Sequence, residues 1–287
     1  MSKRKAIVNL AVVVSIAAIC AAGWAYFNRP MKAPNWPAVV SGYSFSPFRY
    51  GQDPTKSVYP TEAEIRADIE LLAGQTDRLR TYAVRGTLGE VPHIAHEFGM
   101  TVTMGVWLSN IKEDNEREIE RAIEIANSER NIALIVVGNE SLYRAEVDID
   151  DLITYIERVR SAVKVQVTTA EPWHIWMKYP DLAKHVDVIA AHILPYWEKI
   201  PAGPSIDYVL ERAKDLKHQF PKKPLLLAEV GWPSHGRDRG TAEADVADQA
   251  IYLRTLLNKL NRAGYQYFVI EAFDQPRKTD EPTANFC

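Results

Sequence analysis

The chain has 287 residues, 47% of them hydrophobic and 25% charged, a composition that excludes a disordered polymer and can build a substantial core. A net charge of -3 and a pI of about 6.2 leave no basic stripe for a nucleic-acid backbone and no strongly acidic tail. Its two cysteines, Cys20 in the first apolar run and Cys287 at the last position, exclude a disulfide framework.

Lys3, Arg4 and Lys5 precede an apolar run from Ala6 to Phe27. At ~1.5 Å per residue that run spans the ~30 Å hydrocarbon core of a bilayer. Residues 1–28 therefore read as an N-terminal membrane anchor, the alternative being a signal peptide cleaved within "ICAAGWA". The bilayer is thus an expected partner through residues 6–27. The basic cluster assigns the N-terminus to the cytoplasm and everything after Asn28 to the periplasmic or extracellular side, which makes a single-pass inner-membrane protein. Trp24 and Tyr26 suit the outer interface, and residues 29–38, in a proline-rich stretch, read as a linker.

Residues 39–287 form the second part. Strands are expected in "VVSGYSFSP", "RLRTYAV", "TVTMGVWL", "IALIVVGNE", "VQVTTAEP", "VDVIAAHILPYW", "PLLLAEVGWP" and "YQYFVIEAFDQP". Helical patterns separate them, beginning with "TEAEIRADIELLAG", whose Thr61 and Glu64 have capping-box spacing, and including a short piece after Pro172. Strand followed by helix, repeated to eight strands, predicts right-handed crossovers, a parallel sheet and closure into a (β/α)₈ TIM barrel. An open nucleotide-binding sheet fits less well, because "GYSFSPF" lacks the glycine spacing of a phosphate loop.

After the eighth strand only "RKTDEPTANFC" remains, too short for the last helix. If Glu271 faces the barrel interior, alternation turns Phe268 and Ile270 outward, where each forfeits ~1.5 to 3 kcal/mol if uncovered. Two accounts fit: a C-terminally truncated sequence, or another segment, such as the linker around Trp36, shielding that flank.

In such barrels the reactive groups lie at the C-terminal ends of the strands. Glu140 ends the fourth strand and Glu229 the seventh. An unpaired carboxylate in a dry site costs several kcal/mol, so stability does not account for two of them. Across one barrel mouth they meet the requirement of glycoside hydrolysis, one as acid and the other as base or nucleophile. The other strand ends supply Tyr43, Arg80, Tyr82, Asn139, His192, Tyr196, Trp232, Glu271 and Asp274. This polar and aromatic rim suits an uncharged carbohydrate. Arg80 is expected to orient a carboxylate, His192 to support the pair from behind, and Glu271 to act either as a hydrogen-bond hub or as a sugar ligand. His93 and His96, at i and i+3, read as solvated surface because no third metal ligand is apparent. No metal, organic cofactor or protein partner is called for.

"VVGNES", "HILPYW", "LAEVGWPS" and "EAFDQP", in this order on these strands, resemble glycoside hydrolase family 17, the β-1,3-glucanase family, in particular its bacterial members. The resemblance implies a β-1,3-glucan substrate and a retaining double displacement, with Glu140 the general acid/base and Glu229 the nucleophile ~5 to 5.5 Å apart. By the same resemblance Glu140 starts protonated, Glu229 stays ionised with help from Tyr196, and Asn139 reaches the 2-hydroxyl of the sugar. Transfer to a sugar hydroxyl, a β-1,3-glucanosyltransferase activity on periplasmic glucans, shares the same intermediate, and a non-catalytic glucan-binding barrel is the third reading. The chain departs from the family pattern at Arg277, where a tryptophan and a following aromatic segment are expected.

Overall fold

A computed structural model describes residues 3–28, 33–276, 278, 283, 285 and 286. The chain divides into two compact units, residues 1–33 and 34–287. The first contains one helix, α1 (Lys3–Phe27), with apolar side chains exposed along its length. It is long and apolar enough to cross a membrane.

In the second unit eight parallel strands close in sequence order into a barrel. Strand β1 (Tyr43–Ser44) leads to α2 (Glu62–Leu72), β2 (Arg78–Arg80) to α3 (Val91–Glu97), and β3 (Thr101–Val106) to α4 (Lys112–Ser128). They are followed by β4 (Ile132–Asn139), α5 (Ile149–Ala162), β5 (Gln166–Pro172), α6 (Trp173–Lys178), β6 (Ile189–His192), α7 (Ala202–Gln219), β7 (Leu225–Val230), α8 (Val246–Arg262) and β8 (Gln266–Val269). Pairing of Tyr43 with Val269 completes the ring. Thr61 and Glu64 do form the capping box that starts α2, while Asp148 and Asp245 cap α5 and α8.

Alternation along the strands builds two cores. Leu134, Val136, Ala170, Ala190, Leu226, Ala228 and Phe268 fill the barrel, whereas Ile135, Val137, Ala191 and Leu227 meet the helices. Phe268 thus points inward, not outward as expected, and Gly42 makes room for it: a Cβ there would lie 2.5 Å from the ring. Its neighbour Val269 takes the outer face.

Among the described residues no helix follows β8. Val269 and Ile270 are nevertheless buried. Residues 35–40 run along this flank, with the carbonyls of Asn35 and Val39 accepting from Asn258 and Asn261 of α8, and Pro37 and Val40 buried. Trp36 and Phe286 line what is left, a groove of about 220 Å³.

Candidate active site

Two local irregularities aim the site. Along β4 and β5, Val136 pairs with Thr168 but Asn139 pairs with Ala170, so β4 holds one extra residue. Along β6 and β7, Ala191 pairs with Leu227 but His192 pairs with Glu229, so β7 also holds one extra. Such bulges switch the phase of the side chains beyond them. Regular alternation from Leu226 and Ala228 would turn Glu229 to the helix layer; the bulge turns it into the mouth. The β4 bulge does the same for Asn139. It uses Gly138 at φ +83, where a Cβ would meet Ser141 Oγ at 2.7 Å, and Glu140 follows at φ 56, a conformation uncommon outside glycine.

The result brings Glu140, His192 and Glu229 together, with ligand-type atoms all within 4.8 Å of one another. His192 lies between the carboxylates: Nδ1 is 2.7 Å from Glu140 Oε1, and Nε2 is 3.5 Å from Glu229 Oε1. Arg80, fully buried, donates from Nη1 to Glu229 Oε1 at 2.6 Å and from Nη2 to Asn139 Oδ1 at 2.6 Å. Its Nη2 also lies 3.2 Å from His192 Nε2. A guanidinium has no acceptor, so Nε2 receives that bond and Nδ1 carries the hydrogen donated to Glu140. The Tyr82 hydroxyl donates to Glu229 Oε1 at 2.9 Å, and its ring lies 4.5 Å from the Arg80 guanidinium.

Burial pushes the pKa of Glu229 up. The charge of Arg80, and hydrogen bonds from Arg80 and Tyr82, oppose burial and hold it below the ordinary carboxylate value. Burial first, then Glu229, push the Tyr82 phenol well above its ordinary value, which keeps it a donor.

Behind Glu140 lies Glu171 of β5, fully buried and accepting from the amides of Leu142 (2.8 Å) and Tyr143 (3.2 Å). Burial, reinforced by Glu140 and opposed by those amides, raises it to about 7. Arg144 completes the support. Its Nη1 donates to the Asn139 carbonyl, Nη2 pairs with Glu146 at 2.8 Å, and the guanidinium stacks 4.4 Å from the Trp107 ring. This role escaped the sequence reading; the signal available was an arginine four residues after Glu140 in "GNESLYR".

Of the rim residues expected from sequence, the structure gathers Arg80, Tyr82, Asn139 and His192 around the carboxylates. Others it places elsewhere. Tyr43 alternates outward and lines the groove with Leu72 and Val269, because Ser44 takes the inward position. Tyr196 and Trp232 are fully buried, packed edge to face at 5.9 Å; their polar atoms donate to the carbonyls of Arg237 and Glu243, so Tyr196 does not support Glu229. Asp274 is exposed and accepts from Asn285. Glu271 is buried, pairs with Lys278 at 3.2 Å and is near enough to raise Tyr82, as a hub would. Arg277, where the chain departs from the family pattern, lies outside the described residues. His93 and His96 each face Glu129, at 3.2 and 3.7 Å, on the surface.

The structure is thus a closed eight-stranded parallel barrel of TIM type with a carboxylate pair and its cationic clamp at the C-terminal mouth. Within it, residues 42–285 match the BtgE/BtgC glycoside hydrolase domain, and the chain belongs to that family. A probable glucan endo-1,3-beta-glucosidase from Aspergillus terreus is 25% identical over 289 residues, covering 89% of this chain and 43% of its own length. A glucan 1,3-beta-glucosidase from Schizosaccharomyces pombe is 28% identical over 234 residues, 75% of this chain and 73% of its own. The chain thus spans about two fifths of the Aspergillus relatives it matches. The glycoside hydrolase family 17 beta-1,3-glucanosyltransferase of Rhizomucor miehei has the same fold, with a TM-score of 0.76 at 24% identity over 86% of this chain and 91% of that one. So does an endo-laminarinase from Formosa Hel1_33_131, with a TM-score of 0.75 at 19% identity over 86% and 82%.

Proposed function

We propose that this protein is a retaining glycosidase that cleaves β-1,3-glucan. The observation that carries the reading is that Glu140 and Glu229 share one mouth with an oxygen of each within 4.8 Å of the other, a close approach that favours the ~5 to 5.5 Å carboxyl spacing of a double displacement over the ~6.5 to 9.5 Å of an inverting pair. The names of the curated relatives supply the substrate class.

Glu229, held as a carboxylate, attacks the anomeric carbon while Glu140 gives its proton to the departing oxygen; Glu140 then takes a proton from the incoming water, whose oxygen displaces Glu229 and restores the configuration. Arg80 and Tyr82 both bind Oε1 of Glu229, which directs Oε2 to the sugar. The bond from His192 to Oε1 of Glu140 likewise assigns the transferred proton to Oε2. With Oδ1 of Asn139 committed to Arg80, its amide N–H groups serve the sugar 2-hydroxyl.

Incubation of the full-length chain, in uncharged detergent, with β-1,3-gluco-oligosaccharides tests the reading. Shorter products of retained configuration are expected. Longer products identify transfer to a sugar hydroxyl, and binding without products overturns catalysis. Glu229→Ala is expected to lower turnover at least ~10⁴-fold, with azide restoring bond cleavage as a glycosyl azide of inverted configuration. Undiminished activity in that variant removes Glu229 as the nucleophile. The reading includes location: α1 anchors the protein in a membrane with the barrel on the non-cytoplasmic side, supported by its length and by Lys3, Arg4 and Lys5 at its start. Protease accessibility of the barrel in intact cells checks this.

A further inference from the structure

We propose that the opposite, N-terminal mouth of the barrel is a binding site for a small molecule bearing a phosphate group. The beginnings of β4 to β8 enclose a cavity of about 640 Å³ there. Its wall contains Arg78, Lys217 and Lys223 and no carboxylate, in a chain whose 37 acidic residues outnumber its 34 lysines and arginines. Among the described residues, none of the three cations has a carboxylate oxygen within 4.0 Å. Each is instead placed against a neutral group. Arg78 donates from Nη2 to Gln266 Oε1 at 3.3 Å and lies 5.4 Å from the ring of Phe268, which closes the barrel interior above it. Lys217 Nζ lies 4.0 Å from the Tyr265 ring centroid, and Lys223 Nζ donates to the Val186 carbonyl at 2.5 Å.

A ring face and a carbonyl oxygen satisfy one direction of a cation and leave its other N–H donors for a ligand. Burial lowers the pKa of Arg78 with only Asp77 opposing it, as suits a cation lacking its counter-ion. Charges of one sign on a concave, partly dry wall concentrate anions. A guanidinium beside two ammonium groups suits the several acceptor oxygens of a phosphate better than a single carboxylate. The volume exceeds that of a bare oxyanion, so the ligand carries an organic body, for which Leu134, Val188 and Tyr265 form apolar wall. This site and the carboxylate pair lie at opposite ends of the same strands, so one leaves the other accessible.

The test is calorimetric titration of the full-length chain in uncharged detergent with phenyl phosphate, inorganic phosphate and benzyl alcohol. Saturable binding of phenyl phosphate is expected, weaker for inorganic phosphate and absent for benzyl alcohol. Raising the salt from ~0.05 to ~0.5 M is expected to weaken it. Arg78→Gln with Lys217→Gln is expected to weaken it at least ~10-fold while glucan turnover is unchanged, which shows the barrel intact; Lys217→Gln alone, an exposed change, is expected to weaken it ~3-fold or more. No saturable binding of phenyl phosphate, equal binding of benzyl alcohol, or affinity unmoved in the single variant overturns the proposal.

Discussion

Arg80 touches Glu229, Asn139 and His192 at once, so its substitution separates electrostatic from steric roles. Arg80→Met leaves Glu229 subject to burial without its permanent cation, and its pKa rises. The acidic limb of the pH profile of kcat/KM is therefore expected to move to higher pH, and the rate at the optimum to fall ~10²-fold or more. Breaking a buried pair also costs about 3 to 5 kcal/mol of stability, measurable by denaturant unfolding. Tyr82→Phe removes one hydrogen bond to a charged oxygen, so a ~10- to 100-fold loss in kcat with the acidic limb shifted the same way is expected. At this scale the sequence was legible where chemistry forces residue type: two glutamates and an arginine at strand ends have few other uses. It was misleading for Tyr43, Tyr196 and Trp232. An aromatic side chain near a mouth packs inward or lines a cleft with equal ease, and only the neighbours decide which.

Among elements, the bulged end of β4 is the part most sensitive to backbone chemistry. Gly138→Ala introduces a Cβ both into a left-handed conformation and against Ser141, and is expected to cost ~1 to 3 kcal/mol of stability with a fall in kcat. Arg144→Ala, which unties the Asn139 carbonyl, is expected to lower kcat ~10-fold with KM little changed, since the loop that carries Glu140 loses its anchor but the sugar-facing groups remain. Steady-state kinetics checks both. Strand order, barrel closure and helix positions followed from periodicity, because a helix of period 3.6 and a buried strand leave different marks. The bulges did not. An extra residue in a strand interrupts the period for one position only, and "LLLAEV" reads as regular until its partners in β6 are known.

For the molecule as a whole, two buried glutamates set an unusual pH response. Burial raises Glu118 and Glu171 each to about 7 from an ordinary 4.5, with backbone amides opposing. The folded protein then holds more protons than the unfolded chain between those pH values. Their contribution to stability is complete below about 4.5 and is lost as the pH rises through about 7, at most ~3 kcal/mol each. Glu229, lowered, acts in the opposite sense and loses its contribution only as the pH falls through its depressed value. Thermal unfolding is therefore expected to show greater stability near pH 5 than near pH 8, and Glu118→Gln with Glu171→Gln to flatten that slope. A midpoint that climbs steadily from pH 5 to 8 contradicts this assignment.

Whether Glu229 meets a sugar or the helix layer hangs on the parity of a residue count. Every side chain of β7 can be exchanged and the parity survives. Removing the single codon for Ala228 takes out the extra residue and leaves a strand of regular alternation, in which Leu227 still pairs with Ala191, Glu229 still pairs with His192 and the carboxylate keeps its place in the mouth. Mutational libraries built only from replacements never sample that event, so only a one-residue deletion reveals whether the bulge does more than aim Glu229.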